Sequence, residues 1–137
     1  MATFVKYTAA IEPLLEGMDV GSNSWKLALA NTVNAADTSF VAGTTDLTTG
    51  SGYTQGGITC TTSSATQSGG TYTLNLTPPG APQWSFSGAI TFRYVILYNG
   101  STNQPVGYWD YGSGITTANG DTFTISFPGS VLSASIA

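Results

Sequence analysis

The sequence predicts an all-β chain: a single-domain β-sandwich of the jelly-roll type with a short N-terminal arm or helix. The first reason is the run from Ile90 to Tyr98, where Ile90, Phe92, Tyr94, Ile96 and Tyr98 alternate with Thr91, Arg93, Val95 and Leu97. Such a period of two places successive side chains on opposite faces of a strand. The second is recurrence: short alternating runs return along the chain, separated by clusters of Gly, Asn, Ser and Pro, as in sandwiches and jelly rolls. The third is composition, since only 7% of the 137 residues are charged and 17 are Gly, against roughly 25% charged in ordinary soluble domains.

In chain order, residues 3–8 alternate as a first strand, and residues 9–18 lean helical, with Ile11, Leu14, Leu15 and Met18 at helical spacing. Pro13 suits a first turn and Gly17 a stop. Residues 1–22 thus read as strand and arm, and residues 23–137 as the sandwich. Residues 25–30 form a strand that buries Trp25, Leu27 and Leu29 on one face. Residues 31–57, rich in Thr, Gly, Asp and Asn, are expected to contain a short strand and cross one end of the sandwich, because a structureless loop of that length is uncommon. Strands follow at 58–63, 71–76 and 84–86.

The central hairpin comes next. Residues 90–98 and 105–111 are rich in aromatic and β-branched residues, and Asn99 to Gln104 between them is turn chemistry. Both faces of the first run are apolar near its middle, which marks a central or covered strand. Residues 122–127 and 131–136 are expected to close the fold as a pair around Pro128 and Gly129.

A register pairing Tyr98 with Pro105 sets Arg93, the lone arginine, opposite Asp110, Tyr94 opposite Trp109 and Phe92 opposite Tyr111. It predicts a cross-strand ion pair between Arg93 and Asp110. A slip of one residue brings Asp110 opposite Tyr94 and, on this reading, breaks the pair.

Several functions lose their chemistry at once. The chain has no His and a single Cys, which removes Ser-His-Asp and Cys-His catalysis, His-based zinc sites and an internal disulfide. No phosphate-binding glycine loop occurs. Asp37 and Asp46 offer oxygens to a cation, but without a regular ligand spacing. Cys60, in an apolar and hydroxyl-rich run, is expected to be buried and inert. Paired carboxylates could still form a glycosidase dyad, but most of the seven acids fall in expected loops, where solvated turn or capping roles are the commoner use, so the reading is of a protein without catalytic residues, metal or cofactor. With Lys6, Lys26 and Arg93 as its only Lys or Arg residues and a net charge of −4, it lacks the clustered cations that nucleic acid requires. No apolar run is long enough for a membrane-spanning helix, and no leader pattern opens the sequence, so folding in a reducing cytoplasm is expected.

Aromatics need separate weighing. Trp84, Tyr94, Tyr98, Tyr108, Trp109 and Tyr111 suit either a platform for sugar rings or a packed core, and core packing is the commoner use in alternating strands. Tyr53, flanked by glycines, is the expected exposed aromatic.

Four stretches together resemble a known group. They are Ser24-Trp-Lys-Leu-Ala-Leu-Ala-Asn-Thr32, Gly50-Ser-Gly-Tyr-Thr-Gln-Gly-Gly57, Phe92-Arg-Tyr-Val-Ile-Leu-Tyr-Asn99 and Val106-Gly-Tyr-Trp-Asp-Tyr-Gly112. In order and spacing the chain, from about Leu14 onward, resembles capsid decoration, or cement, proteins of tailed bacteriophages. The resemblance implies a β-sandwich on the outside of a capsid, made in the host cytoplasm, bound to the major capsid protein and itself dimeric or trimeric. It implies no catalytic residue. Ile11, Leu14, Leu15, Met18 and Tyr53 are the expected partner contacts. The alternative is a tail-associated adhesin or carbohydrate-binding module.

Overall fold

The computed structural model describes residues 2–127 and 131–135. Among these residues, nine strands and one short helix make an all-β, single-domain sandwich. The strands are β1 (Phe4–Lys6), β2 (Trp25–Ala30), β3 (Ile58–Ser68), β4 (Thr71–Thr77), β5 (Trp84–Ser85), β6 (Thr91–Asn99), β7 (Gln104–Thr116), β8 (Thr122–Phe123) and β9 (Leu132–Ser135). A 3-10 turn at Thr8–Ala10 leads into helix α1 (Ile11–Glu16).

Seven strands share one curled antiparallel sheet in the order β1-β7-β6-β2-β3-β4-β9, and β5 pairs with β8 in a small second sheet. Jelly-roll connectivity divides eight strands between two facing sheets; here one sheet carries seven and curls to build most of the sandwich. Strand β3 makes the bend: its first residues, Ile58 to Cys60, pair with β2, and the rest, from Thr61, pair with β4. The outermost strands of the large sheet are the first and the last in the chain.

The core lies where β2, β6 and β7 run side by side. Leu27, Ala28, Leu29 and Ala30 are buried, as are Val95, Ile96, Leu97 and Tyr98. Strand β2 is thus covered on both faces, not one, because the 31–57 segment folds back over it. That segment holds no strand, only an isolated bridge between Gly50 and Tyr53. It is pinned instead by single bonds: Leu47 N donates to Leu29 O (2.9 Å) and Phe40 N to Asn103 O (2.6 Å). Phe40 also stacks on Tyr98 at 3.7 Å between centroids. Gly57 ends the segment at φ +73°, where any Cβ would collide with the carbonyl of Leu27.

The expected C-terminal hairpin does not form. Strand β8 pairs with β5, Trp84 opposite Phe123, and β9 pairs with β4, Leu74 opposite Leu132. Aromatic packing explains the division: Phe123 lies 4.9 Å from Phe92 and 5.9 Å from Trp84, which draws β8 over the aromatic end of β6. Leu132 meanwhile joins the apolar face of β4. The expected turn at Pro128 and Gly129 lies outside the described residues, as does Ile136.

The hairpin register also differs. Tyr98 does pair with Pro105, but Leu97 pairs with Gly107, leaving Val106 as an extra residue. Asp110 therefore stands opposite Tyr94, Trp109 opposite Val95, and Phe92 opposite Ile115. A second irregularity lies between Phe92 and Tyr94, beside Arg93. Bulges of this kind re-aim side chains, and the ion pair survives the slip that was expected to break it.

Candidate functional site

The surviving pair is bidentate. Arg93 Nε donates to Asp110 Oδ1 at 2.8 Å and Nη2 donates to Oδ2 at 2.9 Å. Gly112 N adds a third donor to Oδ1 at 2.8 Å. The Arg93 guanidinium, with Gly112 N second, holds the Asp110 carboxyl below its usual range. Both side chains stay about a third exposed, so the pair fastens the surface of the hairpin and offers no reactive group.

The polar group at the centre of the long connection is Asp46. Its carboxylate is buried and accepts from Tyr53 Oη, from Gly56 N and from Gly43 N. Tyr53 Oη in turn accepts from Leu29 N at 3.1 Å. Tyr53 is therefore not the exposed contact expected from its glycine neighbours: it is 1% exposed. The glycines serve the backbone turn that drives its ring inward, and the buried carboxylate supplies the partner that lets a phenol sit there. Burial, then the bond to Asp46, raises the Tyr53 hydroxyl far above its usual range. Nothing in the spacing of Asp46 and Tyr53 announced this network; Asp46 read as a loop acid that, with Asp37, could offer oxygens to a cation, whereas its carboxylate is taken up by Tyr53, Gly56 and Gly43.

Cys60 is buried as expected, and desolvation pushes its thiol up to about 12, so it is neither a nucleophile nor a thiolate ligand at neutral pH. Among the described residues there is no group of acids and thiols that could hold a metal ion, and no helix long and apolar enough to cross a membrane. The tryptophans serve the core, and no aromatic is among the exposed large hydrophobic side chains.

Among the described residues, these exposed large hydrophobic side chains are Val5, Ile11, Leu15 and Val41. Three of the four lie in the N-terminal segment. Its strand β1 pairs with β7, Phe4 opposite Trp109, and the Phe4 and Trp109 rings sit 4.7 Å apart. Tyr7 and Ala10 are buried. The segment is thereby anchored to its own sheet, which leaves α1 as a short projection. Glu12 in its first turn suits the positive end of the helix dipole, and Gly17 N closes it on Pro13 O at 3.0 Å.

Ile11 and Leu15, four residues apart, share one side of α1 and are 63% and 73% exposed. Met18 is half-buried against the core. The Leu14 side chain lies outside the described residues. Of the expected contacts, then, Ile11 and Leu15 stand together on the surface, whereas Tyr53 is remote and internal.

Two hollows adjoin these side chains. One, of about 220 Å³, lies between Ile11 and Leu132 and is also lined by Tyr7, Ala10 and Val106, with Lys6 beside them. The other, of about 370 Å³, lies between Leu15 and Ala134, with Tyr72 in its wall. Strand β9 was legible in the sequence only as a short apolar run; that it faces α1 follows from the curl of the sheet.

No protein-family model, no curated protein and no solved structure matches this chain. The fold and the surface by themselves describe a charge-poor β-sandwich with a few large apolar side chains exposed, Ile11 and Leu15 of α1 among them.

Proposed function

We propose that this is a structural virion protein of a tailed bacteriophage, bound to the outer surface of the capsid, where it bridges and stabilises neighbouring copies of the major capsid protein. The observation that carries the reading is the pair Ile11 and Leu15, exposed on a segment otherwise anchored to the sheet. Large apolar side chains held out on a fixed support suit binding to another protein. The four stretches that resemble decoration proteins, the sparse charge and the lack of catalytic groups in the sequence support the same reading.

Such a protein works by repetition. Each copy buries modest area on two neighbours, and many copies around a shell turn weak contacts into high avidity. Bridging opposes the separation of subunits under internal pressure from packaged DNA. With 3 cations and 7 acids, steering by charge is weak at physiological screening, so attachment should vary little with salt.

The test is to heat complete particles and particles lacking the protein while following DNA release with a dye. Depleted particles are expected to release DNA at lower temperature, and added protein should rebind the outside in fixed stoichiometry and restore the difference. Equal release temperatures with no rebinding would remove the reading. A handful of copies per particle, instead of hundreds, would favour the tail-adhesin alternative.

A further inference from the structure

We infer that the open edge of β9 is a docking site for an extended strand of another protein, whose alternate apolar side chains enter the two hollows beside Ile11 and Leu15. The inference rests on the binding-protein reading above, without needing the partner to be a capsid.

Strand β9 is the last in its sheet, so one side of it pairs with β4 and the other pairs with no described strand. An unpaired edge is a template for a further strand. Natural edges are commonly blunted by Lys, Pro or an inward charge, and Leu132-Ser-Ala-Ser135 has none of these. Affinity in strand addition comes from the backbone ladder and specificity from pockets for every second side chain. The two hollows meet that requirement: one is lined by Leu132 and the other by Ala134, residues two apart and therefore about 7 Å from each other along one face. Ile11 and Leu15 repeat nearly the same interval on α1, about 6 Å. Two apolar positions on the helix thus stand beside two on the edge strand, each pair with its own hollow.

Charge and area narrow the occupant. Lys6 is the only charged residue lining either hollow, and among the described residues it has no ion-pair partner. It lies at the Ile11 end. The fitting segment is uncharged through its ladder residues, apolar at two positions two apart, and acidic at the end that meets Lys6. A four-residue edge with two hollows falls well short of the roughly 800 Å² per partner that freestanding complexes bury. The groove therefore suits a segment of a larger, repeatedly attached partner better than a second copy of this chain held by this contact alone.

The test uses the full chain and two capped hexapeptides, Asp-Thr-Val-Thr-Val-Thr and its reverse, which carry the acid at opposite ends because either strand direction fits the edge. Amide hydrogen exchange is expected to slow at Leu132–Ser135 in proportion to one peptide and not the other. N-methylation of the two valines should abolish this. Leu15→Glu and Ile11→Glu, both at exposed positions, should leave the melting temperature unchanged and weaken binding about tenfold, the loss expected when one apolar contact is removed. Lys6→Glu should weaken the preferred peptide and favour its Lys-ended counterpart. Protection at another part of the chain, no binding at any soluble peptide concentration, or full binding by Leu15→Glu would each overturn the inference. Self-association without peptide that Leu15→Glu abolishes would assign the groove to a second copy and also overturn it. Because this assay contains no shells, its failure leaves the rebinding assay free to succeed, and the converse holds too.

Discussion

The sandwich has two unlike halves. In β2, in β6 from Val95 onward and in the first residues of β7 the strands are covered on both faces, and even Asn99 and Gln104 are buried. In β3, β4 and β9 the buried side chains are Cys60, Leu74, Leu76 and Leu132; Ile58, Ala65 and Tyr72 are partly buried, and most of the rest is Thr, Ser, Gln and Asn reached by water. The first half is closed by the 31–57 segment, held by the buried Asp46 carboxylate together with the bonds of Leu47 to Leu29 and of Phe40 to Asn103. The second half has no such cover and keeps the open edge, the hollows and the exposed side chains of α1 beside it. A protein with few charges needs a well-buried half to hold its fold, and it can then leave the other half apolar in places for a partner.

Substitutions should separate the halves by size of effect. The largest is expected at Gly57→Ala, which places a Cβ against the Leu27 carbonyl at a positive φ. Backbone clashes have no side-chain remedy, so the loss should exceed about 4 kcal/mol, seen as an absent cooperative urea transition. Asp46→Ala comes next: it orphans the Tyr53 hydroxyl and two backbone donors, at a cost of about 3 kcal/mol or more in chemical denaturation. Asp46→Asn should lose less, because one acceptor oxygen remains. If both leave the midpoint unchanged, the covered half does not depend on this network.

Gly107→Ala probes the join between the sheet and the N-terminal segment. Its Cβ would meet the Phe4 ring, a side chain that can move, so a loss of about 1–3 kcal/mol is expected. Faster amide exchange confined to Phe4–Lys6 would show that β1 detaches while the rest of the sheet stays folded. Uniform acceleration across β2 and β6 would instead make the segment part of the main cooperative unit.

The smallest effect belongs to Arg93 and Asp110. A double-mutant cycle with Arg93→Ala and Asp110→Ala should give a small favourable coupling that salt reduces. The sign with pH follows from the lowered Asp110 carboxyl: its contribution is present above the unfolded value, near pH 4, and is lost as pH falls through the lower folded value. Asp110→Asn should flatten that acid limb. On the alkaline side, burial pushes Cys60 and Tyr98 up to about 12. Those contributions hold below the ordinary thiol and phenol values and are lost as pH rises toward 12, which a pH series of melting temperatures reads directly.

Much of this architecture was legible in local pattern. The period-two runs located β2, β4, β6 and the start of β7, because a half-buried strand must alternate. The helical spacing of Ile11 and Leu15 identified side chains that do stand exposed together, and opposite charges on adjacent strands identified Arg93 and Asp110 as partners. The bulge at Val106 was not legible, since an extra residue in a ladder leaves no mark on the alternation around it. Nor was the inward turn of Tyr53, whose burial depends on Asp46, seven residues earlier and joined to it only in space.

By itself, then, the sequence determined the class of structure and removed certain kinds of chemistry: strands from alternation, turns from Gly and Asn, and no histidine, thiol pair or phosphate-binding glycine loop. Tertiary structure alone decided the partnerships. Strand β8 joined β5 because Phe123 packs with Trp84 and Phe92, β9 was left to cap β4, and the curl of the sheet carried that last strand beside α1. Local preferences act over a few residues, whereas an edge, a hollow or a buried carboxylate's donors come from segments far apart in the chain, and only packing brings them together.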